Sequence, residues 1–460
     1  MERLMAFNNW LNGIVWGPPI LILIVGTGIY LTLKVNFLQV THIGFALKNT
    51  IMKVFEKQEV SATEITPFQA LSTAVAATVG VGNIAGVATA IAAGGPGALF
   101  WMWVSGFFGM VTKFAEVVLA IKYREKTVDG TWAGGPMYYI TKGLNMKWLA
   151  LLFAGFGALA SFGIGNMVQA NSVAAALYTS FNVPKIATGI VMLVVTGLVI
   201  IGGIKRIGSF TEKLVPVMAI FYILGATIIV LTNIGELPAA LGTVLTYAFT
   251  PAAAVGGFAG AAVRSAIRYG IARGVFSNEA GLGSAPMAHA AAKTDHPVRQ
   301  GLWGIFEVFI DTIVICTLTG LAIMVTGVWE GGLRGSALTI AAFEAGLPGI
   351  GQYIVAIGIT LFAFSTVIGW SWYGEKCTEY VLGSQAGKMF RYVYLPFIVV
   401  GSLGQLTQVW DIADTLNGLM AIPNLVGLLL LSGTVVALTK EFFGSHLKGN
   451  GKKKPAKAKA

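Results

Sequence analysis

Apolar runs of about 20 residues recur along the chain, parted by short segments that hold nearly all of its charge. That is the length of helix needed to cross a bilayer core. The pattern predicts about eleven transmembrane helices, near 14–33, 67–94, 97–121, 149–180, 186–204, 211–233, 258–292, 300–328, 350–373, 391–409 and 417–439. The first run is long for the apolar part of a signal peptide, and no small-residue cleavage site follows it, so it is read as a span. The segment from Lys448 to Ala460 is expected to be a solvated basic tail without fixed structure.

Two of the spans are poor helices in the middle. One, LSTAVAATVGVGNIAGVATAIAAGG at 71–95, has Gly80, Gly82 and Gly86 beside Thr78 and Asn83. The other, AAVRSAIRYGIARGVFSNEAGLGSAPMAHAAA at 261–292, has Gly270, Gly274, Gly281, Gly283 and Pro286. Each glycine weakens a helix by about 1 kcal/mol relative to alanine. Inside a membrane, unwound backbone is tolerated only where protein or a cavity surrounds it. Taken singly, either cluster is equally well read as a close-packing contact between helices.

Their positions favour another reading. With the first span set aside, the interrupted helices are the first and sixth of ten, each opening a five-helix half. Five is odd, so the halves run in opposite directions. Matching interruptions in inverted halves mark a transporter binding site near the midplane. The expected fold is therefore all-α and membrane-integral, with about eleven helices in a five-plus-five inverted repeat. We divide the chain into an N-terminal extra helix (1–36), a cytoplasmic connection (37–66), a first repeat (67–235), a second repeat (236–440) and a basic cytoplasmic tail (441–460).

Charge adds orientation. Only 11% of residues are charged and 55% are hydrophobic, far from the balance of a soluble domain. Basic residues gather in alternate loops: Lys48, Lys53 and Lys57, then Lys122 to Lys147, then Lys205, Arg206 and Lys213, then Lys293 and Arg299, then Lys376, Lys388 and Arg391. The other loops hold almost none apart from Lys185 and Arg334. This bias predicts an amino terminus outside and a carboxyl terminus in the cytoplasm. It also accounts for the net charge of +11 without nucleic-acid binding. Cys316 in an apolar run and Cys377 in an expected cytoplasmic loop suggest neither a disulfide framework nor a metal site. No HExxH, CxxC or GxxxxGK[ST] motif appears, so a metalloprotease, a redox enzyme and an ATP-driven pump are not indicated.

A broken helix bares amides that attract anions and carbonyls that attract cations. A zwitterion needs both, and no fixed charge has to be buried to hold it. The amides of Val81 and Gly82 suit a carboxylate, and carbonyls near Thr78 and Phe276 suit an ammonium. The hydroxyl pair Ser365 and Thr366, in LFAFSTVIGW, suits a hard cation that prefers oxygen ligands. Gln169 and Asn166 are read equally as substrate contacts or interhelical hydrogen bonds. Trp370, one turn beyond Thr366, is read as a pocket wall or as ordinary packing. Lys113 and Glu116 are spaced to form a structural ion pair. Of Glu307 and Asp311, the latter is the better candidate for an intramembrane functional carboxylate. Arg264, Arg268 and Arg273 are read as vestibule or gate residues, and His289 as a structural histidine.

Two stretches carry a resemblance. PGALFWMWVSGFFGMVTKFAE at 96–116 and GVFSNEAGLGSAP at 274–286 resemble signatures of the alanine or glycine:cation symporter family. That family implies sodium- or proton-coupled uptake of alanine or glycine, and the fold of the amino acid–polyamine–cation transporters. More distantly, Ala76 to Asn83 is similar to the unwound stretch of the neurotransmitter:sodium symporters, and Phe276-Ser277 with Gly281 and Gly283 to their sixth helix. This likeness implies sodium ligation by the carbonyls of Ala76, Val79 and Phe362 and the hydroxyls of Ser365 and Thr366. Glu279 departs from it, standing where those symporters have a small hydroxyl residue, which opens the identity of the coupling ion.

The expected substrate-binding set is Thr78, Gly80, Val81, Gly82, Asn83, Gln169, Phe276, Ser277, Asn278, Glu279, Thr366 and Trp370. The expected partners are a small amino acid, sodium and membrane lipid, with the protein a monomer in the plasma membrane of a bacterium or archaeon. No cofactor is expected beyond the co-transported ion. A channel or a substrate sensor of the same fold is the rival reading, and an enzyme is disfavoured because no nucleophile–base pair or metal cluster appears.

Overall fold

The computed structural model describes residues 2–54, 60–61, 63–250, 259–404 and 407–449. Of the expected basic tail at 441–460, residues 450–460 lie outside them and 441–449 belong to the helix Ser432–Gly449. Among the described residues the chain is nearly all helix, with one small β-hairpin pairing Glu125–Lys126 with Trp132–Ala133. Among the described residues seven helices are long and apolar enough to cross a membrane, or eight if one bent pair counts as a single span.

The first apolar span is made of α1 (Glu2–Val15) and α2 (Pro18–Lys34). The bent pair is α3 (Pro67–Thr78) and α4 (Gly82–Gly94), which meet at 52°. Then come α5 (Ala98–Tyr123), α6 (Lys147–Phe181), the shorter α7 (Lys185–Ile200) and α8 (Gly203–Thr232). The remaining long helices are α9 (Ala259–Asn278), α10 (Pro297–Val325), α11 (Gly351–Leu382) and α12 (Thr407–Leu430).

The interruptions have local causes. α3 begins with a capping box in which the Thr66 hydroxyl accepts from the Gln69 amide and the Gln69 side chain accepts from the Thr66 amide, each at 3.1 Å. It stops at Thr78 because Val79 is extended, with φ −77° and ψ 95°. The chain resumes as a helix at Gly82 through a π-helical turn. The second interruption follows Asn278, where Gly281 (φ +92°) and Gly283 (φ +84°) turn the chain in a region open mainly to glycine. Pro286 then opens a single further turn, Pro286–His289. The expected span 258–292 is therefore one long helix, an unwound loop and a very short inner piece.

Two expectations shift. The last span, expected at 417–439, instead begins at Thr407 and ends at Leu430, and a separate helix occupies Ser432–Gly449. In the fold Asp414 is tied to the first span: Asn12 donates to its Oδ2 at 3.2 Å and the Trp16 indole to its carbonyl at 3.1 Å, while its Oδ1 lies 4.0 Å from Arg273. The expected span 391–409 is covered by Ser384–Tyr394 and Pro396–Leu403.

Cys377 is not in a loop but buried within α11. That helix outlasts its apolar run because its terminal charges are paired. Glu375 takes two hydrogen bonds from Arg391, at 2.6 and 2.7 Å, and Lys376 lies 2.5 Å from Glu379. Packing sets the frame for the site. α5 lies against both α9 and α10, α11 against α3 and α6, and α1 against α12.

Candidate substrate and cation sites

The two interruptions meet over one small cavity. Ala77, Thr78, Gly80 and Gly82 line it from α3 and α4, and Phe276 and Glu279 from the end of α9. Ile164 and Gln169 of α6, Thr366 and Trp370 of α11, and Asn417 of α12 complete it. Its volume is about 20 Å³. A water molecule needs roughly 10–15 Å³ by such a measure, so the walls stand closer together than an amino acid requires.

The α3–α4 break supplies the cavity with backbone. The Gly80 amide is taken by the Asn83 side chain at 2.9 Å, and the Val81 amide faces Gln169 Oε1 at 3.4 Å. Side chains at the glycines would fill the space. A Cβ on Gly80 would lie 2.5 Å from Thr366 Oγ1, and one on Gly82 would lie 3.3 Å from the Phe276 ring. Opposite, Glu279 is held in the left-handed region at φ +56°. Its carboxylate accepts from the Trp370 indole at 2.8 Å and from the Ser284 hydroxyl.

Beside the cavity, α11 crosses the end of α3. Ser365 Oγ lies 3.0 Å from the Ala76 carbonyl and 2.8 Å from the Phe362 carbonyl. Thr366 Oγ1 lies 3.4 Å from the Val79 carbonyl and 3.0 Å from that of Phe362. Five oxygens thus converge without any carboxylate. Such a set fits a hard monovalent cation better than a divalent one, which draws on carboxylates.

Three of the expected substrate residues turn away from the cavity. Asn83, Ser277 and Asn278 are buried around Asp311 and Thr312 of α10. Asp311 accepts from Asn83 at 2.6 Å, from Ser277 at 3.0 Å and from Thr312 at 2.7 Å. Val81 also lies outside the cavity lining. Asn166 donates to the Tyr394 carbonyl at 2.7 Å and is a helix-to-helix tie.

Lys113 does not pair with Glu116. It lies 3.1 Å from Glu307, which also meets His289 at 3.0 Å. Glu116 instead accepts from the Gly281 amide at 2.9 Å and from Asn424 at 2.6 Å, anchoring the unwound loop after α9. Of the three arginines, Arg273 sits over the Phe276 ring at 5.3 Å and reaches Asp414 at 4.0 Å. Arg268 donates to the Trp16 carbonyl at 3.4 Å, and Arg264 is exposed.

Sequence reasoning missed Ile164, Ala77 and Asn417 as lining residues. Asn417 had a usable signal, a polar amide in an apolar stretch, which is the same cue that drew attention to Gln169.

Interrupted membrane helices around a shared polar cavity, flanked by an oxygen cage, define a transporter rather than an enzyme. More specifically, the chain belongs to the sodium:alanine symporter family, whose profile matches residues 1–457. It is 53% identical to the sodium/alanine symporter AgcS of Methanococcus maripaludis over 446 residues, covering 95% of this chain and 97% of that one. It is 37% identical to a putative sodium/proton-dependent alanine carrier protein, YrbD, of Bacillus subtilis, covering 94% and 91%. It is 40% identical to the probable sodium/glutamine symporter GlnT of Bacillus subtilis, covering 94% and 89%. Among solved structures, MhsT in complex with L-phenylalanine matches with a TM-score of 0.56 at 12% identity, covering 83% of this chain and 99% of that one. That likeness is one of fold alone.

Proposed function

We propose that this protein carries a small neutral amino acid, alanine or glycine, together with sodium by alternating access. The observation that carries the reading is the convergence of the Ala76, Val79 and Phe362 carbonyls with the Ser365 and Thr366 hydroxyls beside the cavity. Thr366 belongs to both places, since it also lines the cavity. A bound cation there holds α3 against α11 and so fixes the wall that the amino acid needs. The substrate carboxylate faces the Gly82 end of α4, where helix amides point outward. Its ammonium faces Glu279, and Phe276, Gln169 and Trp370 limit the side chain.

The helices after α2 are read as two inverted five-helix halves, opened by α3–α4 and by α9. The amino terminus is placed outside and the carboxyl terminus in the cytoplasm, and the working unit is a monomer. The placement of the termini is supported by the alternation of basic loops.

Uptake of labelled alanine into proteoliposomes tests the reading. Accumulation driven by an imposed sodium gradient is expected. Flux without saturation indicates a channel, and binding without accumulation indicates a sensor. One observation favours a second coupling ion: Glu279 puts a carboxylate on the cavity wall. The same vesicles with a proton gradient and no sodium separate the two, and accumulation under those conditions replaces sodium with the proton.

A further inference from the structure

Asn417 stands on α12 and lines the cavity, is 1% exposed, and its Oδ1 meets no hydrogen-bond donor. A buried acceptor left unpaired costs about 1–3 kcal/mol, so an orphan of this kind calls for a cause. The helix around it is held firmly. Asn12 donates to Thr415 at 3.0 Å and to Asp414 at 3.2 Å. Gly418 lets α12 press directly on α1, since a Cβ there would lie 3.1 Å from the Trp16 ring and collide with Val15. Asn417 is therefore fixed by its neighbours while its own oxygen stays free.

We propose that Asn417 is a specificity-determining residue whose Oδ1 accepts a hydrogen bond from the ammonium group of the transported amino acid. The inference rests on the transport reading above. Alanine and glycine offer one kind of donor, the ammonium, because their carboxylate only accepts. An acceptor facing such a ligand has no other group on it to meet. Glu279 approaches from the end of α9 with both oxygens already receiving one donor each, from Trp370 and Ser284. Each oxygen keeps further capacity to accept. The ammonium is thereby held between α9 and α12 while the carboxylate faces α4. A ligand of the same size without a donor at that position, such as propionate, leaves Asn417 unpaired and is rejected.

The test is calorimetric titration of alanine into the purified full-length protein in sodium chloride. Asn417→Ala is expected to weaken alanine by about tenfold or more. Asn417→Asp keeps an acceptor and is expected to stay within about threefold of the wild type. Asn417→Ser, too short to reach, replaces the alanine variant if that one does not fold. Wild-type affinity in Asn417→Ala overturns the proposal. So does an equal loss in Asn417→Asp, which places the amide nitrogen against the carboxylate instead. A wild type that binds no alanine overturns the transport reading as well, whereas a binding wild type with an indifferent Asn417→Ala overturns this proposal alone.

Discussion

Lys113 and Glu307 face each other across 3.1 Å, and neither side chain has any exposed surface. The contact is ionic rather than a well-aligned hydrogen bond, since neither Lys113 Nζ nor Glu307 Oε1 meets a partner at hydrogen-bonding angles. It joins α5 to α10 beneath the unwound loop that Glu116 anchors. Removing one member leaves a buried charge uncompensated. Lys113→Met is expected to lower stability by about 3–5 kcal/mol. Lys113→Met with Glu307→Gln is expected to recover much of that loss. Thermal unfolding of the three proteins in detergent checks it, and a double variant no more stable than the single one argues against the pair.

Thr366→Ala removes one of the five converging oxygens. The sodium concentration for half-maximal uptake is expected to rise by about tenfold, on the order of one hydrogen bond to a charged group. The preference between alanine and glycine is expected to hold. Sodium dependence of initial uptake rates decides, and an unchanged sodium response removes Thr366 from the cage.

The glycines of the α3–α4 break give a graded series. Gly80→Ala puts a methyl group 2.5 Å from Thr366 Oγ1, whereas Gly82→Ala makes contacts of 3.3 to 3.5 Å with Phe276 and Ser277. Alanine binding is expected to fall strongly in the first and modestly in the second. Gly82→Leu is expected to abolish it. Titration of alanine into each variant checks the order, and equal behaviour of the two alanine variants contradicts it.

Much of the architecture was legible because the interruptions are written in residue type. The glycines at 80 and 82 marked the first, and Gly281, Gly283 and Pro286 marked the second. What escaped were contacts between distant parts of the chain. A three-residue spacing suggested Glu116 for Lys113, but the real partner arrives from α10. The contact of Asp414 with Asn12, 402 residues away in the chain, is likewise invisible in a local window. Asn83 and Ser277 have side chains suited to the substrate, yet the buried Asp311 draws both away.

Asp311 therefore has its own expected outcome. Its carboxylate accepts from three donors, the Asn83 amide and the Ser277 and Thr312 hydroxyls. Asp311→Asn turns one acceptor into a donor facing other donors, at a cost of about 1–3 kcal/mol. Reduced thermal stability with loss of sodium-driven uptake is expected. Uptake at the wild-type rate assigns Asp311 no part beyond packing.

The narrowness of the chamber between α4, α9 and α11 has one more consequence. With about 20 Å³ to spare, the chamber admits cargo only as its walls part, so the amino acid behaves as a spacer. Its bulk sets how far Trp370 and Glu279 are pushed from each other, and a side chain that is too large keeps them from closing again. Branched amino acids are expected to jam the cycle, blocking alanine uptake without being carried themselves. Leucine that is accumulated as fast as alanine contradicts this.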